Sequence, residues 1–320
     1  MILLLLLLGC KEDESQILPY QKEIGNGSYY RLSDFGSVDV YPEHRQVSLL
    51  IRVTDSLNLG VTNLDKDDFK VLENNEDKVG DLEANTKIDP ETIPFTIKTV
   101  LLLDLSSSVE SEISNIKSAV KELIAAKVNH QEFSIFTFDS EVKQILDFTS
   151  NGNTLISAIN NLPETGFDNS TNLYQAIITA SKSWQDIINI DEIEEGSMIV
   201  FTDGKHNADP HLNIMTVLNS IENKSIYAAA LNSPNLDEAS LLQIVGEKSR
   251  YHLASNIGDL ANVFLDIQDR ILTQSKSIYY ITYTSPISVP GVQNLKIMID
   301  NNRNPGGDCM IEKSFSSQGF

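Results

Sequence analysis

Cysteine is scarce in this chain. Two occur among 320 residues, Cys10 and Cys309, so no disulfide framework is expected to hold the fold. Basic side chains are also few, 24 against 45 acidic ones, for a formal charge of −21. That balance excludes a basic footprint for nucleic-acid phosphates and disfavours lying flat on an anionic membrane. No apolar run is long enough to span a bilayer core, which takes about 20 residues. The five histidines form no set: His44, His130 and His252 stand apart, and His206 and His211 are five apart rather than at the i, i+4 spacing of a helical zinc pair. There is no Gly-x-Ser-x-Gly elbow and no histidine beside a serine cluster, which argues against a hydrolase. No internal repeat occurs. With 41% hydrophobic and 22% charged residues, the composition is that of an ordinary folded protein of about two domains.

The stretch around which the chain is organised is 99–120. Val100, Leu101, Leu102 and Leu103 form a continuous apolar run, as in a strand buried on both faces. Ile113, Ile116, Ala119 and Val120 follow at the spacing of one helix face. Between them lie Asp104, Ser106 and Ser108. A polar cluster at the carboxyl end of a central parallel strand is where open α/β sheets bind ligands. One carboxylate and two hydroxyls offer hard oxygen donors of the kind Mg²⁺ prefers. Singly, Ser106 or Ser108 could cap the following helix, Thr171 could cap another, and Asp203 could be a turn residue.

The Asp104-x-Ser106-x-Ser108 pattern resembles the metal-ion-dependent adhesion site of von Willebrand factor A domains. Ser170-Thr171-Asn172-Leu173 resembles the second loop of that family, and Phe201-Thr202-Asp203-Gly204 the third, in the family's order. The resemblance covers about residues 95–273. It implies an α/β fold: a doubly wound, mostly parallel sheet with one antiparallel edge strand. It also implies a divalent cation, Mg²⁺ or Mn²⁺. Ser106 and Ser108 would ligate directly, Thr171 directly or through water, and Asp104 and Asp203 largely through water. A protein ligand offering an Asp or Glu carboxylate would complete the coordination. Asp168, Asn169, Lys205 and His206 would lie on the rim, where they would shape partner choice. Ser107 stands where many relatives have Gly.

Strand and helix patterns alternate along this region, as a three-layer fold requires. Strands are expected around 133–138 and 142–148, joined by the turn Asp139-Ser140 and therefore antiparallel. Further strands are expected at 198–202, 225–231 and 251–253. Helical spacing recurs in 153–162, 172–188, 211–222, 237–246 and 257–274, and Trp184 reads as a core residue. On either side the texture is β. Val47, Leu49 and Ile51 alternate, as do Tyr279, Ile281 and Tyr283, and Leu295, Ile297 and Ile299. The segments 37–93 and 276–320 are therefore expected to form one smaller β-sandwich domain, with an A domain at 94–275 inserted in it. Asp65, Asp67, Asp68 and Glu73 lack the spacing of an EF-hand and read as solvated loop acids.

The first residues, Met1 to Cys10, carry an apolar run that fits the core of an export signal. Leu7-Leu8-Gly9-Cys10 resembles a bacterial lipobox, although Leu8 is large for its position. No basic residue precedes the run, as if the true start lay further upstream. The resemblance implies a signal peptide over 1–9, acylation (palmitate) at Cys10 and a tether over 10–36. Cys309 would then be an unpaired thiol. Lys11-Glu12-Asp13-Glu14 resembles the tethers of surface-directed outer-membrane lipoproteins. The expected function is thus a lipid-anchored adhesion or binding protein of the cell envelope, at the outer membrane. The alternative is an envelope assembly or scaffold factor, and an enzyme is not expected.

Overall fold

The computed structural model describes residues 29–77, 80–85, 94–300, 302 and 306–320. The leader at 1–9, Cys10 and most of the expected tether lie outside the described residues. No described helix is long and apolar enough to cross a membrane. The chain divides into two compact units. One comprises Phe95–Ile187 and Ile193–Ile271; the other takes the segments up to Pro94, Ile188–Glu192 and Leu272–Phe320.

The flanking unit opens with β1 (Tyr30–Asp34), β2 (Asp39–Tyr41), β3 (Gln46–Asp55), β4 (Phe69–Glu73) and β5 (Gly80–Asn85). The first of these falls inside the expected tether. Tyr30 and Leu32 are both buried there, and β1 pairs antiparallel with β3. Two alternating apolar residues are too few to give a strand signal, so only the pairing reveals it. The loop acids before β4 form a capping box: Asp65 accepts from the Asp67 amide at 3.0 Å and Asp68 from the Asp65 amide at 2.8 Å.

The inserted unit contains β6 (Phe95–Asp104), α1 (Ile113–Ala125), β7 (Gln131–Phe138), β8 (Val142–Thr149), α2 (Gly152–Asn160), α3 (Leu173–Ala180) and a two-residue strand β9 (Ile187–Ile188). It continues through β10 (Ile193–Thr202), α4 (Ile214–Ser220), β11 (Ser225–Leu231), α5 (Glu238–Val245), β12 (Tyr251–Ala254) and α6 (Leu260–Ser275); Ile188 of β9 and the end of α6 from Leu272 on fall in the other unit. The sheet order is β12-β11-β10-β6-β7-β8, with β9 also on β10; along that order each pairing is parallel except the β7–β8 hairpin. This is an α/β fold with a mostly parallel sheet and one antiparallel edge strand. Leu101, Leu102 and Leu103 are wholly buried, as a strand covered on both faces demands. On one face, Val100, Leu102, Met198 and Val200 pack with Ala176 of α3 and Leu241 of α5. On the other, Phe201 meets Phe264 of α6 edge-on, with ring centroids 6.3 Å apart.

The helix expected over 172–188 ends at Ala180 and passes into a 3-10 turn, Ser181–Ser183. The Ser181 and Ser183 hydroxyls donate to the Ile178 and Ala180 carbonyls, competing with the backbone bonds that would prolong the helix. Trp184 then turns into the core. A Cβ placed on Gly196 would lie 1.8 Å from Trp184 Cδ1, so the indole occupies the space a side chain would need. The Lys224 ammonium sits 4.1 Å from the indole centroid and donates to the Trp184 carbonyl at 2.8 Å.

The flanking unit closes with β13 (Ile278–Thr284), β14 (Val292–Ile299) and β15 (Met310–Ser316). Strand β13 lies between β3 and β5 in the order β1-β3-β13-β5, with β2 also on β3; the second sheet runs β15-β14-β4. Leu49, Ile51 and Tyr279 from the first sheet share one core with Val71 and Ile297 from the second. Cys309 is 1% exposed and is held in a disulfide, contrary to the expected unpaired thiol.

Candidate functional site

The sheet order places the first strand of the inserted unit, β6, between β7 and β10. From β6 the chain moves first to one side and later to the other, so its carboxyl end beside β10 is a topological switch point, where loops diverge and leave a crevice. Asp104 is the last residue of β6, and Asp203 directly follows β10. Parallel pairing in register, Leu103 opposite Phe201, brings these two carboxylates to the same edge.

Asp104 is fully buried. Its Oδ1 accepts from the Ser106 amide at 2.9 Å and its Oδ2 from the Thr202 hydroxyl at 2.6 Å. The Thr202 hydroxyl in turn accepts from the Gly204 amide at 3.1 Å. Ser108 donates to Asp203 Oδ1 at 2.8 Å, and its Oγ lies 3.1 Å from Ser106 Oγ. With its only proton given to Asp203, Ser108 can only accept from Ser106. Hydroxyl protons thus run toward a carboxylate, and the hydroxyl lone pairs remain free to meet a cation.

Burial is graded. Asp104, Ser106, Thr171 and Asp203 are all less than a tenth exposed, while Ser107 and Ser108 are open to solvent. Burial pushes Asp104 up to about 6, against the lowering effect of its bonds from Thr202 and Ser106 and with a further rise from Asp203. Burial also raises Asp203, offset by the Ser108 bond. Among the described residues neither carboxylate has an ion-pair partner.

Thr171 opens α3 from the second loop. Its hydroxyl makes no hydrogen bond among the described residues and lies 3.5 Å from where a Cβ on Gly204 would sit. Its amide donates to Asn207 Oδ1 at 2.7 Å, and its carbonyl accepts from the Asn207 amide at 3.1 Å. Asn172 is tied to the β7–β8 hairpin: its amide donates to the Asp139 carbonyl at 2.7 Å and its Nδ2 to the Ser140 carbonyl at 3.1 Å.

The rim residues divide. Asp168 and Asn169 reach the first loop: the Ser107 amide donates to the Asp168 carbonyl at 2.9 Å, and the Ser107 hydroxyl to Asn169 Oδ1 at 2.6 Å. Asp168 is held below the usual carboxylate range, chiefly by the Ser170 amide. His206 stacks on Tyr174, with centroids 4.3 Å apart and planes 14° from parallel, and its Nε2 bonds the Asp209 carbonyl at 2.8 Å. Lys205 is exposed beside them.

Sequence reasoning gave no role to Thr202, Asn207 or Ser233. Thr202 holds Asp104, Asn207 holds the Thr171 backbone, and Ser233 donates to the Asp203 carbonyl. Thr202 had a signal, its place within the third-loop motif. Asn207 and Ser233 had none.

The donor set suits a hard divalent cation. It offers two carboxylates without a counter-charge and three hydroxyls, and no thiol or imidazole takes part. Among the described residues no group of three or more His, Cys, Asp or Glu could hold a metal, so a centre here would rest on the hydroxyls.

Residues 99–206 match the family model of the von Willebrand factor type A domain. No curated protein sequence matches the chain. Among solved structures, the chain is similar to proximal thread matrix protein 1 of the mussel byssus. Identity is 17% over 57% of this chain and 49% of that one, with a TM-score of 0.49. The chain therefore spans about half the length of that protein. It is also similar to a von Willebrand factor type A protein from Catenulispora acidiphila, at 10% identity over 91% of this chain and 74% of that one, TM-score 0.49. A third likeness is to an aerotolerance-related membrane protein from Bacteroides fragilis, at 16% identity over 55% and 98%, TM-score 0.44.

Proposed function

We propose that this chain is a binding protein that grips a protein ligand through a divalent cation, Mg²⁺ or Mn²⁺, held between the three loops. The observation that carries this reading is the pair of buried carboxylates, Asp104 and Asp203, with no positive side chain set against them among the described residues. Burying uncompensated charge is costly unless a counter-ion is supplied. Ser106, Ser108 and Thr171 would hold the ion through their hydroxyls, and Asp104 and Asp203 would orient those hydroxyls and balance the charge. A cation contacted mainly by neutral oxygens keeps its electrophilicity and supplies a docking point for a carboxylate from outside.

Each of the chain's own groups then has a task. Thr202 fixes Asp104, and Ser108 gives its proton to Asp203 so that a lone pair faces the ion. Ser107 and Asn169 link the first two loops across the rim, where Lys205 and His206 would also meet the partner. Binding rather than turnover is the activity proposed.

The setting proposed is the cell envelope, at the outer membrane, with the chain anchored by lipid at Cys10. The mass of the mature amino-terminal peptide decides the anchor.

Calorimetric titration with Mg²⁺ and with Mn²⁺ tests the site, comparing wild type with Asp104→Ala and with Ser106→Ala/Ser108→Ala. Binding by wild type that vanishes in both variants is the expected result. No binding by wild type, or equal binding by all three, overturns the metal reading.

A further inference from the structure

We infer that Asn207 is a positioning residue of this site, which acts by fixing the backbone of Thr171. The inference rests on the metal reading above. Asn207 lies four residues beyond Asp203, outside the three motif loops as the sequence defines them. Its side-chain Oδ1 accepts from the Thr171 amide at 2.7 Å, and its own amide donates to the Thr171 carbonyl at 3.1 Å. One residue thereby takes both backbone groups of another, with its side-chain oxygen standing where a strand partner's carbonyl would, here between two loops. It holds the Thr171 peptide planes from both sides and so sets the direction of the Cα–Cβ bond.

Thr171 is 5% exposed, and its hydroxyl is committed to no described group. A threonine with a free hydroxyl on a loop would normally turn that hydroxyl to a nearby backbone group. Here both of its own backbone groups are engaged by Asn207, which leaves the hydroxyl uncommitted, with Thr171 against Gly204 in the third loop. Beside this pair, His206 stacks on Tyr174 and Tyr174 NH lies 3.5 Å from His206 Nδ1, so the segment 205–209 clasps the second loop at two neighbouring points. Asn207 is exposed, so its side chain has no core to support, and its Oδ1 accepts from the Thr171 amide.

The consequence is that Thr171 is presented to the cation in a fixed direction before any ion arrives. Removing the Oδ1 acceptor frees the Thr171 amide and lets the hydroxyl swing away, and a water takes its place on the ion. Outer partners of metal ligands typically change affinity by about 10–100-fold when removed.

The test uses the full chain and Mn²⁺ alone as the probe, comparing wild type with Asn207→Ala, Asn207→Asp and Thr171→Ala. Affinity is read from the free-Mn²⁺ electron paramagnetic resonance signal, and inner-sphere water from water-proton relaxation on the bound ion. Asn207→Ala is expected to weaken Mn²⁺ about tenfold and to gain a bound water, as Thr171→Ala does. Asn207→Asp keeps an acceptor oxygen in place and is expected to restore the wild-type water count. Wild type that binds no Mn²⁺ overturns the metal reading and this inference with it. Wild type that binds, with Asn207→Ala unchanged while Thr171→Ala is altered, overturns the role of Asn207 alone. Equal loss in Asn207→Ala and Asn207→Asp also overturns it, because the effect would then not run through the acceptor.

Discussion

Replacing Asp104 by Asn should make the metal-free protein more stable at neutral pH, although it removes a residue at the heart of the site. Asp104 is fully buried, and its folded-state value of about 6 stands above an ordinary 3.8. The folded state therefore binds this proton more tightly than the unfolded state does. Its contribution falls as pH rises through the window from about 4 to about 6, and the cost is fully present above it. A displacement of about 2 units corresponds to at most about 3 kcal/mol. Asparagine keeps the Ser106 contact through Oδ1 and reverses the Thr202 one, with Nδ2 donating to the hydroxyl oxygen beside the Gly204 amide and the hydroxyl proton giving up its carboxylate acceptor. For a unit of this size that difference shifts the melting temperature by at most about 6–12 °C. Melting is followed in chelator from pH 4.5 to 7.5 for wild type and Asp104→Asn. All other titrating groups are common to the two proteins, so the difference between their curves isolates Asp104. The gap between the curves should be about a third of its full size at pH 4.5 and complete by pH 7.5, with the variant higher. Adding saturating Mn²⁺ should reverse the order, because only wild type gains the stabilisation of a bound ion. An Asn variant less stable than wild type at pH 7.5 in chelator would refute the argument that the buried charge is uncompensated.

Two further predictions concern packing. Gly196→Ala sets a Cβ 1.8 Å from Trp184 Cδ1 and should lower stability by about 1–3 kcal/mol, read by denaturant titration; an unchanged midpoint would show that the indole moves freely. Gln131 and Gln268, both buried, exchange amide bonds at 3.1 and 2.6 Å, and Gln131 also donates to Thr99 Oγ1 at 2.9 Å. Gln268→Leu alone should cost about 1–3 kcal/mol by leaving Gln131 with unmet groups, and adding Gln131→Leu should recover part of it; strictly additive losses in the double-mutant cycle would refute the coupling.

The parts of the fold that were legible are those whose signal is local. The apolar run at 100–103 needs only burial on two faces to be recognised, and the short Asp139-Ser140 turn forces β7 and β8 to be antiparallel. The three site loops were legible because each carries a short chemical pattern at a strand end or helix start. Strand β1 was not legible, because Tyr30 and Leu32 acquire meaning only when β3 pairs with them. Nor was the early end of α3, which depends on where the Trp184 indole finds room against Gly196.

By itself the sequence determined which residues could offer hard oxygen donors, Asp104, Ser106, Ser108, Thr171 and Asp203, and that the chain carries too few basic groups to neutralise its acids. Side-chain chemistry and hydrophobic period are properties of the chain, and they survive without a structure. Only the tertiary structure decided that Asp104 and Asp203 share one edge, that Thr202 and Ser108 hold them, and that Asn207 takes both backbone groups of Thr171. Those facts depend on strand order and on loops brought together from distant parts of the chain. A residue such as Asn207, which meets its partner through two directed hydrogen bonds across that distance, leaves no mark in composition or period.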